Sequence, residues 1–229
     1  MACRELTLNP DRTIALEIAN LTPKVEEGDT LRLTARALNA AGNVVPGAAV
    51  TWAVLDTGRI AFALDPSGLV TGTFAGNNKV QARLEDLRSD PVTVTVTPLP
   101  DSAAATGSTR RVLQPGDVQS PAMLVTVYDS TAQGFVGISD KRVVYQALQP
   151  ATGGLGFFLT VKDTVPAPGT DPRTVTTLTA FGGQASAVAR LLAGQTPPDS
   201  AIIQATAYTA RGAVVRGTPV QFVVVFRGS

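Results

Sequence analysis

Apolar and polar residues alternate one by one along several short segments of this chain. Residues 92–97 read Val-Thr-Val-Thr-Val-Thr, and residues 31–37 alternate Leu or Ala with Arg or Thr. A period of two places one set of side chains on one face of an extended strand, whereas a helix needs a period of about 3.6. The chain is therefore predicted to fold from half-buried β-strands.

Turn signals separate these segments at short intervals. The 229 residues include 21 glycines and 16 prolines. Asp65-Pro66-Ser67-Gly68 combines a proline that presets φ with a glycine that permits a positive φ. Short strands joined by such turns are typical of antiparallel sandwiches, so the sequence predicts an all-β fold.

A stretch rich in proline, serine and alanine divides the chain. Residues 98–101 read Pro-Leu-Pro-Asp, and residues 102–108 are Ser, Ala, Thr and Gly only. This composition predicts a linker that begins stiff and ends flexible. The predicted segments are a tether at 1–13, a first domain at 14–98, a linker at 99–108 and a second sandwich at 109–229.

Seven strand-length segments follow in the second half of the chain. They are residues 122–128, 142–148, 157–161, 174–179, 185–192, 201–208 and 220–226. Seven short strands fit a second sandwich. The glycine- and proline-rich patches between 149 and 173 predict a long loop, which is either functional or only mobile.

Four segments of the first domain resemble the group 2 family of bacterial Ig-like domains, which occurs in invasin- and intimin-like surface proteins. They are residues 27–35 (EGDTLRLTA), 42–47 (GNVVPG), 50–52 (VTW) and 67–72 (SGLVTG). The resemblance implies an Ig-like fold for this domain and, from the family, a spacer or binding role. The predicted fold is thus two tandem immunoglobulin-like antiparallel β-sandwiches, with Trp52, the sole tryptophan, as the central plug of the first core.

The two halves also share a local pattern. Residues 204–222 align without gaps on residues 34–52, and Gly212, Gly217 and Phe222 then match Gly42, Gly47 and Trp52. Similar patterns arise from burial alone. We interpret the match as a recurrent strand, turn and strand arrangement, and not as proof of duplication.

The charges and rare residues exclude several function classes. The net charge is +1, and the closest basic pairs, Arg110-Arg111 and Lys141-Arg142, are isolated, so no nucleic-acid partner is predicted. The chain has no histidine and one cysteine, which removes the commonest general base and the usual zinc ligands. No apolar run reaches the roughly 20 residues of a membrane-spanning helix.

Residues with catalytic or ligand-binding chemistry form no convincing group. Asp56 and Asp65 could bind calcium, but their spacing favours turn capping. Ser186 has no histidine to activate it, and Tyr145 with Lys141 is too generic for a dyad. A glycine-rich stretch at 153–156 lacks the lysine and helix of a phosphate loop. We therefore predict no enzyme, no catalytic residue, no cofactor and no metal site.

Cys3 is the one candidate for modification. Ala2-Cys3 resembles the end of a bacterial lipobox, in which the cysteine becomes the acylated first residue. Stable anchoring requires more than one acyl chain. The alternative is a free thiol in a disordered tail.

The expected function is that of an extracytoplasmic scaffold in the periplasm or at the cell surface. It would be held to the membrane through Cys3 and would bridge other proteins of an envelope or membrane assembly. The layout resembles a periplasmic Ig-like subunit of a photosynthetic reaction-centre and antenna complex, which implies such an assembly as one possibility. The alternative is an adhesin or carbohydrate-binding module, although aromatic residues make up only 5% of the chain.

Overall fold

The computed structural model describes residues 12–132, 134–151, 155–161 and 171–226. These residues form strands and turns, with no helix among them and hence none that could cross a membrane. The chain divides into two compact units, Met1–Leu99 and Pro100–Ser229.

The described residues of the first unit form ten strands. They are β1 (Ala15–Ile18), β2 (Lys24–Glu26), β3 (Thr30–Arg32), β4 (Ala35–Leu38), β5 (Thr51–Val54), β6 (Phe62–Leu64), β7 (Leu69–Gly72), β8 (Gly76–Leu84), β9 (Leu87–Arg88) and β10 (Val92–Thr97). One sheet has the order β2-β10-β8-β5, with β9 paired to β8. The other side is built from β1-β4 and β3-β7-β6, and β3 and β4 follow one another along the chain.

The alternating residues face the core of the first unit as predicted, but residues 31–37 do not form one strand, because they are divided between β3 and β4 in different sheets. Val94 and Val96 are buried, whereas Thr93 on the other face of β10 is exposed. The centre of this core is formed by Val70, Val80 and Val94.

Trp52 packs against this cluster but does not occupy its centre. Its indole is only half-buried. Its edge packs on the turn that ends at Gly68. A Cβ built there would lie 2.5 Å from the indole Nε1. A valine-rich centre therefore takes the place of the predicted aromatic plug.

The part of the second unit that the structure describes also forms ten strands. They are β11 (Ser102–Thr106), β12 (Arg110–Leu113), β13 (Met123–Thr131), β14 (Gly134–Gly137), β15 (Arg142–Gln149), β16 (Phe157–Thr160), β17 (Thr174–Leu178), β18 (Gln184–Leu191), β19 (Ser200–Tyr208) and β20 (Val220–Phe226). The two sheets have the orders β11-β13-β18-β16, with β14 paired to β13, and β12-β20-β19-β15-β17. All seven strands predicted in this half are confirmed, with ends within three residues.

Both units begin with the same switch between sheets. In the first, β1 pairs antiparallel with β4 and β2 pairs parallel with β10. In the second, β11 pairs antiparallel with β13 and β12 pairs parallel with β20. The second strand of each unit thus adjoins its last strand in one sheet, while the first strand joins the other sheet. The predicted fold class is confirmed, with these parallel pairs as the exception to antiparallel pairing.

The linker predicted at 99–108 is largely part of the second unit. Residues 102–106 form β11, and Ala103 is buried. The Leu99 amide donates to Glu27 Oε2 in the first unit (3.4 Å), and the Asp101 amide donates to the Tyr128 carbonyl in the second (2.9 Å). The backbone of Ala103 is closely approached by a second segment: a Cβ built at Gly217 would lie 2.2 Å from the Ala103 carbonyl oxygen.

The repeated pattern has the same turn but a different place in each unit. The amide of Gly42 donates to the Asn39 carbonyl (2.9 Å), and the amide of Gly212 donates to the Thr209 carbonyl (3.0 Å). However, β4 and β5 belong to different sheets, whereas β19 and β20 form a hairpin in one sheet. The match is therefore local and does not align equivalent strands.

Candidate interaction surface

The two candidate calcium ligands each accept hydrogen bonds from backbone amides, at separate places in the first unit. Asp65 Oδ1 accepts from the amides of Ser67 (2.8 Å) and Leu69 (2.9 Å) and from the Ser67 hydroxyl (2.7 Å). These hydrogen bonds, that of the Ser67 hydroxyl above all, lower the pKa of Asp65. Asp56 instead accepts from the Lys79 amide (2.5 Å). Turn capping is confirmed for Asp65, whereas Asp56 binds the backbone of β8.

The residues considered for catalysis do not meet at a solvent-accessible site. Ser186 is half-buried on β18, and Lys141 is buried, with its backbone amide donating to Thr179 Oγ1 (2.9 Å). No group of three or more histidines, cysteines, aspartates or glutamates comes together in the described ranges. Cys3 and residues 153–154 of the glycine-rich stretch lie outside those ranges.

Tyr145 has a structural role in the second core. Its side chain is fully buried on β15, and its hydroxyl lies 3.1 Å from the Met123 carbonyl oxygen and 3.0 Å from that of Ala185. These acceptors belong to β13 and β18, so the hydroxyl crosses the sandwich to the facing sheet. Burial raises the pKa of Tyr145 far above its usual value.

Exposed aromatic side chains mark a different part of the second unit. Phe181 is 101% exposed and Phe135 is 71% exposed, and Val136 beside the latter is also exposed. The Phe135 ring meets Tyr128 edge-on, with centroids 6.1 Å apart. We call Phe135 and Phe181 the aromatic surface; the Val136 side chain points to the opposite face of β14.

Close backbone packing holds the two parts of the aromatic surface together. A Cβ built at Gly137, the end of β14, would lie 2.0 Å from the carbonyl oxygen of Gly182, which follows Phe181. The Gly183 carbonyl accepts from the Val127 amide (2.9 Å), which ties this turn to β13. Only glycine fits at such a contact, so both phenylalanines project from a backbone that is fixed by neighbouring strands.

Sequence analysis did not single out Phe135 or Phe181. Neither residue lies in a segment that alternates apolar and polar residues. The available signal was an aromatic residue beside glycine: Gly134-Phe135-Val136-Gly137 and Phe181-Gly182-Gly183. Of the aromatic residues in the strands predicted for the second half, Tyr145, Phe157 and Phe158 are buried and Tyr128 is half-buried.

A cleft of about 760 Å³ lies where β12 and β20 end. Its charged lining residues are Asp117, Arg190 and Asp199. Asp117 caps a turn by accepting from the Gln114 amide (2.8 Å), and the aromatic residues Phe158 and Phe226 are almost fully covered. The cleft therefore lacks an exposed ring on which a sugar could stack, and the aromatic surface is the stronger candidate for binding.

Comparisons with known proteins give remote structural likenesses only. No family model matches the chain, and no curated protein matches it. Among solved structures, it is similar to the adhesin InvE of Yersinia pseudotuberculosis, at 16% identity over 93% of this chain and 59% of that chain, with a TM-score of 0.39. It is also similar to the Escherichia coli adhesin FdeC, at 13% identity over 93% and 63% of the two chains, with a TM-score of 0.38.

A further likeness is to domains 4 and 5 of the S-layer protein SbsC. The identity is 16% over 93% of this chain and 97% of that chain, and the TM-score is 0.32. This chain spans about three fifths of the length of the two adhesin chains, 59% and 63%. The fold is assigned from strand order and register, and these likenesses assign no function.

Proposed function

We propose that this chain is a non-catalytic structural protein of the cell envelope that binds a partner protein through its aromatic surface. The observation that supports this most directly is the exposure of Phe135 and Phe181 on a fixed backbone. Exposed apolar clusters of this kind are typical of interaction sites. The resemblance of residues 27–72 to Ig-like spacer domains supports a location outside the cytoplasm.

The aromatic surface has the energetic properties of a binding centre. Burying one phenylalanine side chain contributes about 1.5–3 kcal/mol. Because the backbone beneath both rings is already fixed, little of this gain is lost to ordering the main chain on binding. A few buried side chains usually supply most of the affinity of a protein interface.

The proposal predicts that Phe135→Ser with Phe181→Ser abolishes partner binding without unfolding the protein. The wild type and the double variant would each be isolated from native membranes in mild detergent. The amount of partner would then be measured relative to the amount of the wild type or the variant. We expect a fixed stoichiometry for the wild type and loss of the partner from the double variant. The free energy of unfolding should change by no more than about 0.5 kcal/mol, because both side chains are exposed.

Leu21→Ser provides a matched control, since Leu21 is 76% exposed in the first unit. This variant should keep the partner at the wild-type ratio. If the double phenylalanine variant also keeps the partner, the aromatic surface is not the binding site. If no partner co-purifies with the wild type, the alternative of an adhesin or carbohydrate-binding module is favoured. Its ligand would then not be a component of the membrane from which the protein was isolated.

We further propose that Cys3 is acylated and anchors the protein. The intact N-terminal mass of protein from native membranes should then begin at Cys3 and include more than one acyl chain. Cys3→Ser should release the protein from the membrane fraction. An unmodified thiol on membrane-bound protein would contradict the anchor, though not the aromatic surface.

A partner within a photosynthetic reaction-centre assembly stays a prediction from the sequence. No comparison supports that more specific assignment. The stoichiometric partner recovered with the wild type would identify the assembly directly.

A further inference from the structure

The strand β17 ends one sheet of the second unit. It pairs antiparallel with β15, and no strand of the described ranges pairs with its other side. The strand reads Thr-Val-Thr-Thr-Leu, with Thr176 and Leu178 exposed. Such an edge presents backbone donors and acceptors to a further strand.

The register shows which backbone groups point outward. The Thr179 amide donates to the Lys141 carbonyl (2.9 Å), and the Ala147 amide donates to the Arg173 carbonyl (2.8 Å). Hydrogen-bonded pairs alternate along an antiparallel ladder, so Val175 and Thr177 also bond to β15. The amides and carbonyls of the intervening residues 174, 176 and 178 therefore face away from β15.

Two of these outward groups already have weak local partners. The Thr174 amide donates to the Asp171 carbonyl (3.3 Å), and the Leu178 carbonyl accepts from Thr177 Oγ1 (3.3 Å). The amide and carbonyl of Thr176, the Thr174 carbonyl and the Leu178 amide are then left for another strand.

Three other edges of the second unit, those of β11, β12 and β16, are protected in ways that β17 is not. The β12 edge carries Arg110 and Arg111. The edges of β11 and β16 are bonded by loops, since the Ala103 amide donates to the Arg216 carbonyl and the Leu159 amide donates to the Pro172 carbonyl. The β17 segment has no charged residue and no proline, which are the usual guards against strand addition.

We propose that β17 pairs antiparallel with β17 of a second copy of this chain, about a two-fold axis at Thr176. Thr176 would exchange two hydrogen bonds with Thr176 of the second copy. The Thr174 carbonyl would accept from the Leu178 amide of the second copy, and the reverse bond would follow by symmetry. The sheet would then continue through both copies as β12-β20-β19-β15-β17-β17-β15-β19-β20-β12.

The chemistry of the edge favours a second copy over an unrelated charged strand. Self-pairing of an uncharged strand brings no like charges together, whereas self-pairing of β12 would oppose its two arginines. Leu178, which is 57% exposed, would lie opposite the Thr174 side chain of the second copy and cover its methyl group. This dimer uses a surface different from the aromatic surface and is independent of the partner proposed above.

The test is the oligomeric state of the full-length chain by sedimentation equilibrium, in a Cys3→Ser background so that no disulfide forms. We expect a concentration-dependent dimer. Thr176→Pro removes an outward amide and should weaken the dimer about tenfold or more, while the β15–β17 ladder keeps its bonds. Thr176→Val, which keeps the amide and the β-branched shape, should dimerise like the wild type.

Thr176→Lys separates a loss of pairing from a loss of folding. It places two like charges at the axis, so its dimer should be weaker at low salt and recover partly at high salt. Circular dichroism and thermal unfolding should show every variant folded. A wild type that stays monomeric up to its solubility limit overturns the proposal. So does a dimer that persists in Thr176→Pro and Thr176→Lys but is lost when Phe135 and Phe181 are replaced.

Discussion

Replacing Phe222 with alanine is expected to lower the free energy of unfolding of the second unit by about 3–5 kcal/mol and to leave the first unit unchanged. Phe222 is fully buried on β20 within the hydrophobic cluster of the second unit. Alanine would leave a cavity that close-packed neighbours fill only in part. The selectivity follows because the two clusters share no residue: one contains residues 25–96 and the other residues 103–226.

The sole tryptophan makes this selectivity measurable. Trp52 belongs to the first unit, so its fluorescence reports the unfolding of that unit, whereas far-ultraviolet circular dichroism reports both. In denaturant titrations, Phe222→Ala should shift the dichroism transition and leave the fluorescence midpoint in place. Val70→Ala, at a fully buried position of the first core, should instead shift the midpoint of the fluorescence transition. Equal shifts of both signals in Phe222→Ala would show that the units unfold as one.

The alternating segments allowed most long strands to be predicted, because a period of two becomes visible over five or more residues. The strands that sequence analysis missed in the first unit, β1, β2, β6 and β9, have two to four residues each. Such strands show at most two turns of the period, and they form because the neighbouring strand offers backbone partners. Composition could not locate them.

The linker prediction shows the limit of composition as a guide. Small residues are typical of flexible segments, but they are also required where two backbones approach closely. In Ser102–Thr106 the second reason applies, since Ala103 lies buried beneath Gly217. Only the pairing of β11 with β13, which lie about twenty residues apart along the chain, shows that this stretch is a packed strand and not a flexible segment.

The candidate surfaces depend on position in the sheet, which a single sequence does not encode locally. The sequence predicted the β17 strand, but its place at an edge follows from the order β19-β15-β17. Phe135 and Phe181 lie 46 positions apart (181 − 135), and the segments that carry them adjoin through the close approach of Gly137 to Gly182. A buried phenylalanine and an exposed one look alike in sequence until the strands on either side are placed.

The stability of the second unit is expected to fall as the pH rises above about 10, because the buried Tyr145 keeps its proton after the unfolded chain has lost it. Burial raises the pKa of the folded Tyr145 hydroxyl. A raised folded pKa means that the folded state binds more protons than the unfolded state above about pH 10, so the free energy of unfolding decreases with pH. The expected slope from this group approaches about 1.4 kcal/mol per pH unit.

Tyr145→Phe isolates this effect from the other groups that titrate at high pH. At about pH 8 the variant should be less stable than the wild type by about 1–2 kcal/mol, because it loses the hydroxyl bonds to the Met123 and Ala185 carbonyls. At about pH 11.5 the wild type has lost about 2 kcal/mol through Tyr145 ionisation in the unfolded state, and the variant has not. The stability difference should therefore shrink to near zero or reverse. A constant difference in denaturant titrations across this range would mean that the folded hydroxyl ionises like an exposed one.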